Sequence, residues 1–163
     1  MTTEDLLQVA LTGIGATAVL DVWLFALNRF GVATLPMALI GRWIGHAARG
    51  RLSHAAIRQA PAIAGERALG WIFHYAVGVL FAAVLIGVTG PGWMRMPTVL
   101  PALAVGVSTV VMPLFVMQPA MGAGFAASKT STPMLNCLRS VVNHTVFGFG
   151  LYLSAIATRA VSV

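Results

Sequence analysis

The chain has 163 residues, of which 58% are hydrophobic and 9% are charged, with a mean hydropathy of +0.88 and a net charge of +6 at pH 7. Because about a quarter of the residues in soluble domains are charged, this composition excludes a water-exposed globular surface. It predicts a single all-α membrane domain over residues 1–163. The basic residues form no stripe that alternates with aromatic residues, so we expect no nucleic-acid partner. The single cysteine, Cys137, excludes an intrachain disulfide and a cysteine-based metal site.

The first predicted transmembrane helix covers about residues 9–27 and is apolar except for Asp21. Gly13 and Thr17 are four residues apart, a spacing of small side chains that lets a second helix come close. The preceding MTTEDLLQ has two acidic residues and no basic residue, unlike the start of a cleaved signal peptide. We therefore expect this helix to be retained.

The segment at about residues 35–60 follows this helix and, with its two flanks, holds six of the ten basic residues. Residues 37–48 place apolar side chains on one side of a helix and Arg42 and His46 near another. This pattern predicts a helix that lies in the cytoplasmic interface of the membrane, with its basic side chains at anionic lipid headgroups. The alternative is a re-entrant half-helix that lines a cavity.

The second predicted span, about residues 68–88, has 21 residues without Lys, Arg, Asp or Glu. At 1.5 Å per residue it covers ~30 Å, the thickness of the hydrocarbon core of a bilayer. A helix pairs its backbone N–H and C=O groups internally, whereas a lone strand would leave them unpaired in lipid. The run therefore predicts a transmembrane helix, which carries His74 below its midpoint.

The third and fourth predicted spans cover about residues 97–117 and 140–158. The third has no charged residue, and Pro113 must kink it. The segment between them is rich in small residues and resembles a phosphate-binding loop near Lys129. Such a loop needs Gly directly before the Lys, where Ser128 stands, and it follows a strand, which is not predicted here. We interpret the segment as a tight, partly buried turn.

The basic residues are distributed unequally between the two sides of these spans. The loops after the first and third spans, with the start of the fourth, hold eight basic residues, whereas the other side holds Arg95 and Arg159. The positive-inside rule then places the side with eight basic residues in the cytoplasm and both termini on the opposite side. Because four spans seldom enclose a whole transport pathway, a transport function would require a homo-oligomer.

Three titratable side chains are predicted to lie at one depth in the membrane. Asp21, His74 and His144 lie at similar distances from the cytoplasmic ends of three different spans, roughly 6–10 Å into the membrane at 1.5 Å per residue. Small or polar residues lie one helical turn from each of these three side chains. This pattern indicates that each side chain lies on the helix face that packs against other helices. A carboxylate there must be paired or protonated, and an imidazole is a natural partner. We predict a proton- or substrate-binding cluster; the alternative is a structural clasp made by the same residues.

These three residues do not predict a metal or cofactor site, because no two of them share a helix at the spacing of three or four that ligand pairs use. A second group of candidates lies at the predicted cytoplasmic rim. Its members are Arg42, His46, Glu66, Gln118 and Lys129. Glu66 is placed to pair with an arginine of the preceding segment, and the group is interpreted mainly as headgroup and loop contacts. His54 has no evident partner, and no G-x-S-x-G motif indicates a serine nucleophile.

Several blocks of sequence together resemble one family. They are GIGATAVLD from residue 13, GRWIGH from 41, GERALGWIFHYAVGV from 65, PLFVMQPAMGAGFAASKT from 113 and RSVVNHTVFGFGLYL from 139. In order and spacing, over about residues 8–155, they resemble the small bacterial inner-membrane proteins catalogued as domain-of-unknown-function family 2938. The resemblance implies a four-helix integral membrane protein of the bacterial inner membrane. It implies no activity, substrate or cofactor.

Three functions are compatible with these predictions. The first is a small transporter or permease-like protein, proton-coupled through Asp21, His74 and His144. The second is a non-catalytic membrane subunit in which the same residues hold the helices together. The third and weakest is a membrane enzyme that acts on a lipid at the rim formed by Arg42, His46 and Glu66.

Overall fold

The computed structural model describes residues 2–161, with side chains as far as Arg159, and every regular element in that range is helical. In chain order these are α1 (Thr3–Arg29), α2 (Met37–Ala47), a 3₁₀ turn (Ile57–Gln59), α3 (Glu66–Thr89), α4 (Gly92–Arg95), α5 (Val99–Ser108), a π-helical turn (Pro113–Met117), α6 (Gln118–Ala120), a second 3₁₀ turn (Phe125–Ala127) and α7 (Pro133–Val161). The all-α prediction is confirmed.

Four helical stretches of the described chain are long and apolar enough to cross a membrane, which is the number of spans predicted. They are Thr3–Arg29, Glu66–Thr89, Val99–Ala120 and Pro133–Arg159. Their ends differ from the predicted ones, most of all in the last, which begins at Pro133 rather than near residue 140. An apolar run marks only the part of a helix that suits lipid, whereas the helix itself continues through polar residues such as Asn136.

The start of α1 is fixed by a capping box. The Thr2 hydroxyl accepts a hydrogen bond from the Asp5 backbone N–H at 3.2 Å, and the Asp5 carboxylate accepts one from the Thr2 N–H at 2.7 Å. Both bonds satisfy N–H groups that have no partner within the helix, and the acidic side chains favour the positive end of the helix dipole. The helix therefore begins well before the apolar run that predicted it.

The third span is not a continuous α-helix. α5 ends at Ser108, a turn follows at residues 109–110, and a π-helical turn occupies Pro113–Met117. Because proline has no N–H and its ring crowds the preceding turn, the regular pattern of hydrogen bonds cannot pass through Pro113 unchanged. The predicted irregularity at this residue is confirmed.

The segment between the third and fourth spans is a tight, partly buried turn, as predicted. It contains the left-handed residues Gly122 and Gly124, and Ala126 and Ala127 also have positive φ angles, of 48° and 59°. Gly122 lies directly against the carbonyl group of Ala55, where any side chain would collide. Ala127 is only 1% exposed, so part of this turn lies in the interior.

Contacts divide the chain into two compact units. Unit 1 consists of residues 1–32, 75–109 and 142–163, and unit 2 of residues 33–74 and 110–141. α3 and α7 therefore contribute residues to both units. Unit 1 contains three basic and three acidic residues, whereas unit 2 contains seven basic residues and one acidic residue. The net charge of +6 belongs to unit 2.

Unit 1 is held together by close contacts between small residues. Gly13 lies against the backbone of Gly78 and Val79, and a side chain on Gly78 would collide with the Thr17 hydroxyl. The predicted packing role of Gly13 and Thr17 is thus confirmed. In the same unit Gly106 of α5 lies against the backbone of α7. Completely buried side chains fill the spaces between these contacts: Ala16, Ala82, Leu85, Ala102 and Leu151.

Unit 2 is organised by the crossing of α2 and the beginning of α3. A side chain on Gly41 would meet the Glu66 carbonyl oxygen, and one on Gly70 would meet the Met37 carbonyl oxygen, so the two backbones are in direct contact. A small core of Leu39, Ile57 and Met121 lies beside this crossing. The observed helix α2 lies within the segment predicted at about residues 35–60, while its position in the membrane interface, or as a re-entrant half-helix, stays a prediction.

Candidate functional site

Asp21, the charged residue of the first span, is hydrogen-bonded to a neighbouring helix within unit 1. The Tyr75 hydroxyl of α3 donates to Asp21 Oδ2 at 2.8 Å. Asp21 is half-buried, so its carboxylate is partly removed from solvent and requires such a donor. Tyr75, which follows His74 directly in the chain, is thus one partner of Asp21, and the expected imidazole partner stays a prediction.

His144, the titratable residue of the fourth span, is paired with α5. Its Nδ1 atom lies 2.8 Å from the Thr109 hydroxyl oxygen, which also lies 2.6 Å from the Gly106 carbonyl oxygen. Gly106 in turn lies against the backbone of Gly148, one helical turn beyond His144. The close packing of these two helices at Gly106 and Gly148 thus brings the Thr109 hydroxyl within hydrogen-bond distance of the His144 imidazole.

A third polar pair, which the sequence analysis missed, links α1 to α7. The Trp23 indole N–H donates to the Asn143 side-chain oxygen at 2.9 Å. Together with the Asp21–Tyr75 and Thr109–His144 pairs, it connects α3 to α1, α1 to α7, and α7 to α5. All three pairs lie within unit 1, and we call them the polar pairs. No role was predicted for Trp23, because the partner of its N–H cannot be read from sequence spacing.

His74 belongs to unit 2, where its ring lies 6.0 Å from the Trp71 ring at an angle of 67°. Like Asp21 and His144 it is half-buried. That it joins these two residues in one cluster stays a prediction. Within the part of the chain that the structure describes, no three His, Cys, Asp or Glu side chains form a group suited to a metal ion.

At the predicted rim, Arg42 of α2 and Glu66 of α3 form a bidentate ion pair. Arg42 Nε and Nη2 donate to the two carboxylate oxygens of Glu66, each at 2.8 Å, and Arg42 Nη1 donates to the Ala60 carbonyl at 3.0 Å. Glu66 also accepts from the Ile63 N–H at 3.2 Å. The expected pairing of Glu66 with an arginine of the preceding segment is confirmed, and it fixes the α2–α3 crossing.

His46, the third rim candidate, pairs with His54, for which the sequence had indicated no partner. His46 Nε2 lies 3.0 Å from the Pro61 carbonyl oxygen, and His46 Nδ1 lies 3.2 Å from His54 Nε2. Because a carbonyl only accepts, His46 carries its proton on Nε2, and its Nδ1 accepts from His54 Nε2–H. His54 Nδ1 is then an unprotonated nitrogen, and it is buried without a hydrogen-bond partner among the residues that the structure describes.

The environment of this pair disfavours a positive charge on His54. Burial lowers the pKa of the His54 imidazole below its usual value, and the positive charge of Arg51 and the proximity of His46 lower it further. His54 also fixes the loop through its backbone, since its N–H donates to the Ala120 carbonyl at 2.8 Å. The signal that sequence reasoning missed is Gly50, whose left-handed conformation reverses the chain between the two histidines.

The remaining rim candidates have other contacts. Gln118 donates weakly from Nε2 to the Ser140 hydroxyl at 3.4 Å, while its Oε1 atom is buried and has no hydrogen-bond partner within the described part of the chain. Lys129 is exposed, and its backbone nitrogen and the inner part of its side chain lie close to Gly124. The structure therefore joins Arg42 to Glu66 and His46 to His54, and records different contacts for Gln118 and Lys129.

Comparison with known proteins assigns the chain to a family. No curated protein and no solved structure matches it. The sequence profile of the family described as Protein of unknown function (DUF2938) matches residues 10–158, which is most of the chain and agrees with the resemblance noted in the sequence. The protein, which contains these polar pairs and the positively charged unit 2, belongs to the DUF2938 family.

Proposed function

We propose that the protein is a small multi-pass membrane protein of the transporter type, in which Asp21 and His144 take up and release protons within the spans. The observation that carries this proposal is the chemistry of their partners. Each titratable side chain is hydrogen-bonded to a hydroxyl group, from Tyr75 and Thr109 respectively. A hydroxyl group both donates and accepts, so it can pair with either protonation state of its neighbour.

For His144 the two states can be written atom by atom. When His144 Nδ1 carries no proton, the Thr109 hydroxyl donates to it. When Nδ1 carries a proton, it donates to the hydroxyl oxygen, and the hydroxyl turns to the Gly106 carbonyl at 2.6 Å. In both states the contact between His144 Nδ1 and the Thr109 hydroxyl keeps one donor and one acceptor.

The same reasoning applies to Asp21. As a carboxylate it accepts from the Tyr75 hydroxyl; as a carboxylic acid it can donate to the oxygen of the same hydroxyl. Ionisable side chains within transmembrane helices are costly and commonly mark proton pathways. A proton that enters from water can therefore reside on either residue without disrupting helix packing.

A purely structural role is the main alternative. The Trp23–Asn143 pair has that character, because neither side chain changes protonation and each fills one role as donor or acceptor. If Asp21 and His144 acted in the same way, they would hold one protonation state throughout the physiological pH range. The protonation state is thus the property that separates the two functions.

A lipid enzyme at the rim has less support. Arg42 and Glu66 form an ion pair with each other, and their side chains are only 14% and 16% exposed. His46 is buried and directs Nε2 to a backbone carbonyl. A catalytic role would require at least one of these groups to be available to a substrate, so we do not propose this activity.

For orientation, we propose the bacterial inner membrane with both termini on the non-cytoplasmic side, supported by the position of eight basic residues in the loops on one side. We also propose a homo-oligomer, since four spans seldom enclose a complete pathway. Alkaline phosphatase fused to the C-terminus should be active in cells, whereas a fusion after residue 55 should be inactive. The reverse result would overturn this orientation.

The test of proton binding is an infrared and NMR titration of the protein in lipid vesicles between pH 4 and 9. We expect a carboxyl C=O band that disappears in Asp21→Asn and a ¹⁵N-imidazole resonance that moves with pH and disappears in His144→Gln. Trp23→Phe, which breaks the purely structural pair, should keep both signals. If Asp21 and His144 keep one protonation state while the protein stays folded, the polar pairs only hold the helices together and the proposal is wrong.

A further inference from the structure

We infer that unit 2 contains a binding site for the phosphate headgroup of an anionic phospholipid, at a cavity between the beginnings of α2 and α3. The cavity has a volume of about 270 Å³ and is lined by Pro36, Met37, Ala38, Arg67 and Trp71. This inference depends on the membrane location of α3 but not on proton binding by Asp21 or His144, so the two can fail separately.

The walls of the cavity are held in place by the crossing of the two helices. Backbone contact at Gly41 and Gly70 brings α2 and α3 together, and the bidentate Arg42–Glu66 pair fixes their relative position. Arg67 and Trp71 are four residues apart and therefore share one face of α3, beside this crossing. The site is thus built on two helices whose geometry is set before a ligand binds, which lowers the cost of binding.

The charge of Arg67 is not balanced within unit 2. Glu66 is the only acidic residue among residues 33–74 and 110–141, and its two carboxylate oxygens are already bound by Arg42. Arg67 is exposed at the edge of the cavity. A guanidinium group presents several N–H donors in one plane and matches the oxygen atoms of a phosphate group. The complementary ligand is therefore an anion.

The apolar surroundings favour a lipid as the source of this anion. Trp71 combines an apolar ring with an N–H donor, the combination that is enriched where membranes meet water. Next to it Ile72 is 67% exposed, and Leu35 before the cavity is 38% exposed. A headgroup phosphate at Arg67 would have its glycerol and the first carbons of its acyl chains beside these apolar side chains, whereas a free phosphate ion would make no use of them.

The experiment measures the binding of phosphatidylglycerol to the purified protein in neutral detergent, by native mass spectrometry and by the shift in melting temperature. Phosphatidylcholine with the same acyl chains is the lipid control. We expect phosphatidylglycerol to bind and stabilise the protein, and Arg67→Gln to weaken binding roughly tenfold. Arg49→Gln, which removes the same charge from an exposed residue of the same unit outside the cavity, should bind as the unchanged protein does.

A second variant tests the cavity without changing charge. Ala38→Phe places a ring in the cavity and should also abolish preferential binding of phosphatidylglycerol, while Arg67 remains. The inference is overturned if Arg49→Gln and Arg67→Gln weaken binding equally, because the effect would then be general electrostatic attraction. It is also overturned if Ala38→Phe binds normally, or if inorganic phosphate stabilises the protein as much as the lipid does.

Discussion

Unit 1 and unit 2 use their polar side chains in opposite ways. In unit 1, acidic and basic residues are equal in number, and the polar pairs each join two helices within an apolar interior. In unit 2, seven basic residues accompany one acidic residue, Glu66, which forms an ion pair with Arg42. Balanced charge suits the interior of a membrane, where every polar group needs a partner, whereas unbalanced positive charge suits its surface, where lipid phosphates supply the counter-charge.

The two units are alike in one respect, since backbone contact at glycine determines how their helices cross. Gly78 and Gly106 have this role in unit 1, and Gly41 and Gly70 in unit 2. Without a hydrophobic driving force between helices in lipid, close packing and interhelical hydrogen bonds must supply the attraction. The difference between the units is therefore a difference in charge, built on the same kind of helix packing.

The largest effect is expected from breaking the glycine contact of unit 2. Gly70→Ala places a methyl group against the Met37 carbonyl oxygen, and because backbone cannot move aside as a side chain can, the variant should lose about 3 kcal/mol of unfolding free energy. Gly87→Ala is the matched control on the same helix, since nothing lies within 4 Å of its added carbon. Thermal unfolding in detergent measures both; equal melting temperatures would show that the α2–α3 crossing does not depend on Gly70.

An intermediate effect is expected at the ion pair of unit 2. Arg42→Gln leaves the Glu66 carboxylate with one backbone donor, and Glu66→Gln leaves the Arg42 guanidinium without its counter-charge, so each should lower the melting temperature. The double variant should be less unstable than the sum of the two single ones, because neither charge is then left alone. Arg49→Gln, an exposed arginine, should have almost no effect. Additive losses would mean that the pair does not stabilise the α2–α3 crossing.

The smallest effect is a pH dependence of unit 2 caused by the histidine pair. The pKa of His54 is held below its usual value, so the unfolded chain binds a proton more readily than the folded protein. Stability from the neutral pair is therefore present above about pH 6.5 and decreases as the pH falls below it. The protection of the His54 amide against hydrogen exchange, expressed relative to the intrinsic exchange rate at each pH, should fall over this range, because its N–H donates to the Ala120 carbonyl.

His54→Gln provides the control for this pH dependence. Its side-chain amide can still donate to His46 Nδ1, but it has no proton to gain, so the protection of the residue 54 amide relative to its intrinsic exchange rate should depend less on pH between 5 and 7. If the unchanged protein loses no protection below pH 6.5, or if the glutamine variant loses as much, the buried His46–His54 pair does not respond to pH.

The sequence by itself determined the number of helices long and apolar enough to cross a membrane, the helical class, the family and the location of the positive charge. A run of apolar residues is helical in lipid because no other backbone arrangement satisfies its own hydrogen bonds, and this requirement depends on composition alone. The segment that holds most of the basic residues, and the irregularity at Pro113, could be predicted for the same reason: each follows from local chemistry.

Only the tertiary structure decided which polar side chains meet. The helical repeat predicts the face on which Asp21 lies, but not that the Tyr75 hydroxyl would reach it. Nor does it select Arg42 among the basic residues as the partner of Glu66, or bring His54 to His46. Partner choice depends on how far two helices slide and rotate against each other. That is fixed by glycine contacts distant in sequence, so no local pattern contains it.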